Sequence, residues 1–259
     1  MFKPFDLSGK VALVTGGNGG IGLGMAAALA EAGADLAIWG TNAKKNAAAK
    51  AGLARSGRRV ETLVVDVADE AAAEEAMAET IRRLGRVDAC FANAGVTGRA
   101  RSMFDIDGKE LRRVVAVNLD GAFFTLRAAA RHMVARAEKG DPFGRLVGMA
   151  SLAARSGAAR NEHYAATKGA LVAMLKAMAV EFARYGITAN AILPGWIETE
   201  MTADWFAGEK FRATVLPRIP MRRWGRPEDF GGIAVYLASA ASAFHTGDEI
   251  LIDGGYWVF

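Results

Sequence analysis

The segment VALVTGGNGGIGLGMAAALAEAGADLAIWG, residues 11–40, decides the fold. It opens with a short β-branched run, Val11–Val14, passes through a glycine-rich turn from Gly16 to Gly22, and continues as an alanine-rich helical stretch, Ile21–Ala32, before a second apolar run, Leu36–Trp39. That order is a βαβ unit. Glycines let a backbone turn tightly and come close to a pyrophosphate, whose charge the N-terminus of the following helix favours. Such a turn can also be purely structural, and its place at the first strand-to-helix junction is what gives it functional meaning.

Outward from this unit the same rhythm repeats. Apolar runs recur at Val60–Val65, Val87–Ala92, Leu146–Met149, Thr188–Leu193 and Glu249–Ile252, separated by helical stretches at Ala43–Ser56, Glu70–Leu84, Lys109–Ala137, Glu162–Tyr185 and Glu228–Ser239. Strands buried on both faces lose polar alternation, and parallel neighbours need crossover helices. The spacing predicts an α/β fold: one doubly wound domain over residues 1–259, with a seven-stranded parallel sheet and helices on both faces. No linker or fixed-period repeat argues for a second domain. The irregular stretch 196–220 follows the sixth strand, at the sheet end where ligands bind, and is expected to act as a substrate lid.

With 52% hydrophobic and 23% charged residues, the 259-residue chain reads as compact rather than disordered. The opening MFKPFDLSGK has no apolar stretch, and the most apolar helix is interrupted by Lys176 and flanked by Lys168 and Glu181. Neither a signal peptide nor a membrane span is expected. Cys90 is the only cysteine, which excludes an internal disulfide, and its apolar surroundings read as a buried, inert thiol. A cytoplasmic location fits. The net charge of +4 is scattered among 28 acidic residues, so pairs such as Arg58-Arg59 and Arg112-Arg113 read as solvated faces and no nucleic-acid partner is expected. No metal site is expected either.

A second signal is Tyr164-Ala-Ala-Thr-Lys168, with Ser151 at the end of the preceding strand. Residues four apart share one face of a helix, so Tyr164 and Lys168 would project toward one site. An ammonium about 4.5 Å from the phenol oxygen, at an effective dielectric of about 20, would supply ~3–4 kcal/mol, enough to lower the tyrosine pKa by about two to three units. Alone, this pair would read as a surface feature of an amphipathic helix. The serine and the element order reverse that reading.

Together, the glycine spacing TGxxxGxG (Gly16, Gly20, Gly22), the tyrosine–lysine pair and the serine resemble the short-chain dehydrogenase/reductase family, over essentially the whole chain. The resemblance implies a Rossmann fold and hydride transfer between NAD or NADP and a carbonyl or secondary alcohol. The segment Ile219–Asp229 and the glycine loop resemble members acting on sugar acids, polyols or 3-oxoacyl thioesters, with no choice among them. The family resemblance implies Tyr164 as general acid or base, Ser151 as the group orienting the substrate oxygen, Lys168 on the tyrosine and the nicotinamide ribose, and Asn118 in a water-linked proton relay. Asn118 reads equally as a helix-kink residue. The implied cofactor contacts are Gly16, Asn18, Gly20, Ile21 and Gly22 in the first turn, then Asp66 and Val67 near the adenine. Asn93, Ala94 and Gly95 follow after the fourth strand, although Ala92 departs from the family's usual asparagine. Pro194, Gly195, Ile197 and Thr199 complete the set near the nicotinamide. For Asp66 a helix N-cap is the structural alternative.

The residues that select between the two cofactors follow neither common pattern. Gly40 and Thr41 end the second strand with no carboxylate to repel a 2′-phosphate, which gives a slight preference for NADP, with Thr41, Asn42 and Lys44 as donors. Lys44 and Lys45 read equally as solvated. His163, Arg155 and Arg160 suggest an acidic substrate, but neighbouring helical residues point about 100° apart, so His163 need not face the site. Trp196, Met201, Trp205, Phe206 and Phe211 would either line an apolar pocket or pack against protein. The small-residue helix Glu162–Tyr185 and the apolar C-terminus suggest a homo-oligomer, in this family a homotetramer. The alternative to an enzyme is a catalytically silent dinucleotide-binding regulatory or structural subunit, which would not need Tyr164.

Overall fold

The computed structural model describes residues 3–98 and 100–259. Met1 and Phe2, part of the opening read above as carrying no leader, lie outside the described residues.

The seven apolar runs form one sheet. Its strands are β1 (Val11–Thr15), β2 (Asp35–Gly40), β3 (Val60–Val64), β4 (Ala89–Ala92), β5 (Gly144–Met149), β6 (Ile187–Pro194) and β7 (Glu249–Ile252). All pairs are parallel, in the order β3-β2-β1-β4-β5-β6-β7. The chain winds outward from β1 to β3, then returns to β4 and winds the other way. The carboxyl ends of β1 and β4 are therefore the switch point, where a crevice must open.

The helices are α1 (Gly20–Glu31), α2 (Ala43–Leu53), α3 (Glu70–Leu84), α4 (Gly108–Val115), α5 (Gly121–Ala137), α6 (Ala153–Ser156), α7 (Glu162–Phe182), α8 (Ala203–Phe206), α9 (Glu209–Val215) and α10 (Gly231–Ala238). Helices cover both faces of the sheet. One face buries Leu13, Trp39, Cys90 and Leu146 against α3, α5 and α7, through Met77, Leu126, Met133 and Leu175. The other buries Val14, Ile38, Phe91 and Ile192 against α1 and α10, through Met25, Leu29, Phe230 and Leu237. Cys90 is fully buried and unpaired, and burial pushes its thiol pKa up, as expected of an inert core thiol. Among the described residues no helix is long and apolar enough to cross a membrane.

The expected helix Lys109–Ala137 is three pieces. Between α4 and α5 the residues Ala116–Asp120 form a π-helical turn, a wider form that recurs at functional sites. Asn118 is at its centre. The lid stretch also holds two short helices, α8 and α9, that sequence periodicity did not show.

Candidate active site

Three loops meet over the switch point. The β1–α1 loop carries Gly16–Gly22, the β4 loop carries Asn93–Thr97, and the β6 loop carries Gly195–Thr202. Thr15 ties the first two together: its hydroxyl accepts the N–H groups of Asn93 and Ala94, each at 3.0 Å, and its carbonyl accepts Asn93 Nδ2 at 2.8 Å. These loops frame a cavity of about 340 Å³, whose far wall is Met149, Ala150, Ser151, Tyr164 and Lys168.

Of the expected cofactor contacts, Gly16, Asn18, Gly20, Ile21, Gly22, Asn93, Ala94, Gly95, Pro194, Gly195, Ile197 and Thr199 line this cavity. Gly40, Thr41, Asp66 and Val67 do not. The residues present fit a dinucleotide on one local observation. The first turn of α1 has no side-chain cap and no acidic residue, so its free N–H groups are offered to an anion beside a cleft, while a Cβ on Gly19 would meet nothing within 4 Å. Gly22 is there for close approach: a Cβ on it would lie 2.5 Å from both Asn93 Nδ2 and the Gly16 carbonyl oxygen. Gly22→Val therefore costs about 1–3 kcal/mol in forced backbone movement, and fluorescence titration should show weakened binding of both NADH and NADPH.

Asp66 does not cap α3. Asp69 does, accepting the Ala72 N–H at 3.0 Å, while Asp66 turns the chain by accepting the Ala68 N–H at 3.0 Å. The room expected beside Gly40 is already occupied. A Cβ there would lie 2.2 Å from Asn18 Nδ2 and 2.8 Å from Asn46 Oδ1. Asn18 donates to Asn46 at 2.7 Å, and buried Asn46 donates to the carbonyls of Gly40 and Leu63, both at 3.0 Å. An acid placed at position 40 must first displace Asn18.

Asn118 is buried and faces the β4 loop. It accepts the Val96 N–H at 2.8 Å and donates to the Val96 carbonyl at 2.9 Å and to Thr167 at 3.3 Å. Its Oδ1 and Lys168 Nζ converge on Gly95, where a Cβ would meet them at 3.3 and 3.5 Å.

Tyr164 and Lys168 share a face of α7, as their spacing required, and the ammonium is tied to the backbone of β5. Lys168 Nζ stands 5.6 Å from the centroid of the Tyr164 ring and donates to the Met149 carbonyl at 2.6 Å. Only 3% of Lys168 is exposed, and burial without a carboxylate partner brings its pKa down to about 8. Burial raises the Tyr164 pKa, opposed by the hydrogen bond from Ser151. Burial thus sets the direction for the tyrosine in this structure, above its ordinary value and not below it as the lysine spacing alone implied.

His163, Arg155 and Arg160 stay outside the cavity lining. His163 is 4% exposed, with its ring pressed against Gly98, and Arg155 pairs with Glu249 at 2.9 Å. The lid aromatics turn inward on one another. Trp196 meets Phe211 at 5.0 Å edge to face, Phe206 stacks on Trp224 at 4.3 Å, and Trp205 and Tyr256 close on Trp196. Of the five residues named for a pocket wall, only Met201 reaches the catalytic cavity. The sequence reading missed Asn46, Glu200 and Thr202. Thr202 pins the lid turn by donating to the Ile197 carbonyl at 2.6 Å and accepting the Thr199 N–H at 3.0 Å.

Comparison with known proteins agrees with this geometry. Residues 16–257 match the family model described as enoyl-(acyl carrier protein) reductase. Gluconate 5-dehydrogenase of Gluconobacter oxydans is 36% identical over 254 residues, covering 98% of this chain and 97% of that protein. Among solved structures, a short-chain type dehydrogenase/reductase from Mycobacterium marinum is 36% identical, with a TM-score of 0.91 over 98% of each chain. A gluconate 5-dehydrogenase from Burkholderia cenocepacia, in complex with NADP and tartrate, is also 36% identical, with a TM-score of 0.93 over 99% of this chain and 98% of that one. A doubly wound sheet, a glycine cradle at its switch point and a Ser/Tyr/Lys wall, matched over nearly the whole length by these relatives, place the chain in the short-chain dehydrogenase/reductase family of NAD(P)-dependent oxidoreductases.

Proposed function

We propose that the protein interconverts a secondary alcohol and a ketone on a small polyhydroxylated acid, with NADP(H) preferred over NAD(H). The lid carries this reading. Its aromatic side chains pack on themselves, leaving a cavity in which Ser151, Thr199, Glu200 and Thr202 supply polar groups and the lid contributes only Ile197 and Met201 as apolar side chains. The polar groups suit substrate hydroxyls, and no aromatic side chain of the lid is left over to line a track for an acyl chain. Sugar-acid dehydrogenases recur among the relatives, with 2-dehydro-3-deoxy-D-gluconate 5-dehydrogenase of Escherichia coli 34% identical.

In this reading Tyr164 gives its hydroxyl proton to the substrate oxygen during reduction and removes it during oxidation. Ser151 aligns that oxygen. Asn118 fixes Val96 and so the β4 loop. Lys168 stands beside Gly95, at the edge where the nicotinamide ribose would rest. The bound nicotinamide supplies the hydride chemistry. Residues 196–220 act as the substrate lid of a single-domain enzyme. A panel of six-carbon hydroxy acids, 3-oxoacyl thioesters and apolar secondary alcohols, assayed with both cofactors, tests the proposal. The hydroxy acids should give the highest kcat/KM, and a higher value for the acyl thioesters would overturn it.

The same reading makes the protein a cytoplasmic homotetramer. The outer face of α7 exposes Ala166, Ala173, Ala177 and Val180, the last 84% exposed, and Gly169 has open space above it. A smooth small-residue stripe lets a second helix approach closely, and the apolar terminus Trp257–Phe259 is a further uncovered patch. Light scattering at low micromolar concentration should give about four times 27.4 kDa; an active, stable monomer would overturn the assignment.

A further inference from the structure

The loop after β4 is held by side chains from three neighbours. Asn118 takes both backbone groups of Val96, accepting its N–H at 2.8 Å and donating to its carbonyl at 2.9 Å. Arg113, on α4, donates to the Thr97 carbonyl at 2.9 Å. The third tie comes from α7. Asn161, the residue before the first turn of that helix, makes no side-chain cap and reaches across to the loop instead. Its Oδ1 accepts the Gly98 N–H at 3.0 Å, and its Nδ2 donates to the Thr97 hydroxyl at 2.8 Å. An asparagine in that place ordinarily satisfies its own helix. Two residues on, His163 packs its ring on the same glycine: a Cβ on Gly98 would lie 2.1 Å from His163 Cε1 and 2.5 Å from Asn161 Oδ1. His163 is 4% exposed, and neither ring nitrogen has a hydrogen-bond partner among the described residues. An imidazole so placed lowers stability. Two local rules are thus broken within one turn of Tyr164, where function rather than folding sets the sequence.

We propose that Asn161 is a positioning residue: it ties the loop Val96–Gly98 to the helix that carries Tyr164, and so sets the distance between the transferring hydroxyl and the wall that receives the far end of the substrate. The inference rests on the role given to Tyr164 above. Thr97 belongs to that wall. With Glu110 and Arg113 it lines a second cavity of about 580 Å³, which shares Gly95, Glu200 and Met201 with the catalytic one. Glu200 is itself held by Lys45 from the other side of the cleft. A substrate whose reacting carbon stands at Tyr164 therefore extends its remaining carbons toward Thr97. Asn161 bonds both the hydroxyl of Thr97 and the amide that follows it, so wall and proton donor move as one body. When the tie is cut the loop gains backbone freedom, which the substrate must remove on binding. The cost falls on substrate binding rather than on proton transfer. The start of the same loop, which faces the glycine turn, stays fastened through Thr15 to Asn93 and Ala94.

Hydrogen–deuterium exchange with mass spectrometry reads the tie without substrate or turnover. In Asn161→Ala the peptide spanning Val96–Gly98 should exchange roughly five- to tenfold faster, the worth of the hydrogen bond lost at the Gly98 N–H. Peptides from β5 and the first turn of α1 should match the parent. Gly98→Ala, which forces Asn161 and His163 off the loop from the other side, should have the same effect. Asn161→Asp keeps the acceptor for the Gly98 N–H and should restore most of the protection. With D-gluconate as the probe and NADP as cofactor, Asn161→Ala should raise KM about tenfold, leaving kcat and the NADPH dissociation constant within about twofold of the parent. Unchanged exchange in Asn161→Ala overturns the tie. A fall in kcat at constant KM overturns positioning in favour of direct participation, and faster exchange in every peptide overturns it in favour of a general folding role. A parent enzyme that does not turn over D-gluconate counts against the sugar-acid reading, and the exchange rates still decide the role of Asn161.

Discussion

Tyr164→Phe should lower kcat by about 10²–10⁴-fold while NADPH binding, followed by fluorescence titration, changes little. The substitution keeps the ring and its packing on α7 and removes only the hydroxyl that transfers the proton. In the free enzyme that hydroxyl is held above its ordinary pKa by burial, with Ser151 pulling the other way. The oxidation rate needs the ionised form, so it should rise toward alkaline pH, whereas reduction uses the protonated form and is favoured at neutral pH. Ser151→Ala removes the lowering influence and should move the oxidation profile further toward high pH. A Tyr164→Phe enzyme with a kcat near that of the parent would end the assignment.

Lys168→Met should make the protein more stable and inactive at once. The ammonium is buried with one carbonyl for company, and its pKa falls from the ordinary 10.5 to about 8. At 1.36 kcal/mol per pH unit, holding this charge costs roughly 3 kcal/mol. Losing the bond to the Met149 carbonyl returns about 1 kcal/mol, so the net gain is about 2 kcal/mol. For a chain of this length that is a rise of roughly 4–8 °C in Tm. The sign follows from proton binding. Between pH 8 and 10.5 the unfolded chain holds a proton on this lysine that the folded protein has released, so the parent gains stability as pH rises through that window. The advantage of Lys168→Met is therefore largest below pH 8 and fades above it. Thermal melts at pH 7 and pH 10 measure both. A lower Tm for the variant at pH 7 would contradict the burial cost, and stability bought by losing a functional charge is the expected trade in an active site.

Much of this was legible in the sequence because each element carried a local signature. The strands lie within about two residues of their apolar runs, since β-branched runs buried on both faces look alike wherever they occur. The chemistry was legible where spacing alone fixes geometry, as for Tyr164 and Lys168 on one helical face. It failed where distant residues decide. A glycine at position 40 reads as room, yet Asn46 holds Asn18 in that room from 28 residues away. The Lys168 side chain reads as a charge near a phenol, yet the geometry turns it onto Met149. Trp196 and Phe211 read equally as pocket or packing, because hydrophobicity states that a ring will be covered and not by what. Lys45 and Glu200, 155 residues apart, leave no trace of their meeting.

The π-helical turn around Asn118 works as a slack loop wound into the helix rather than a break in it. An α-helix advances about 100° per residue, and a turn one residue wider spends an extra residue on nearly the same rotation. Deleting a single residue from Ala116–Asp120 would therefore restore regular winding and leave α5 facing the sheet almost as before. Leu126, Ala129 and Met133, all fully buried, would keep their places in the core. The extra residue is thus dispensable for packing and serves the site instead, because the widened turn is what lets Asn118 reach sideways to Val96.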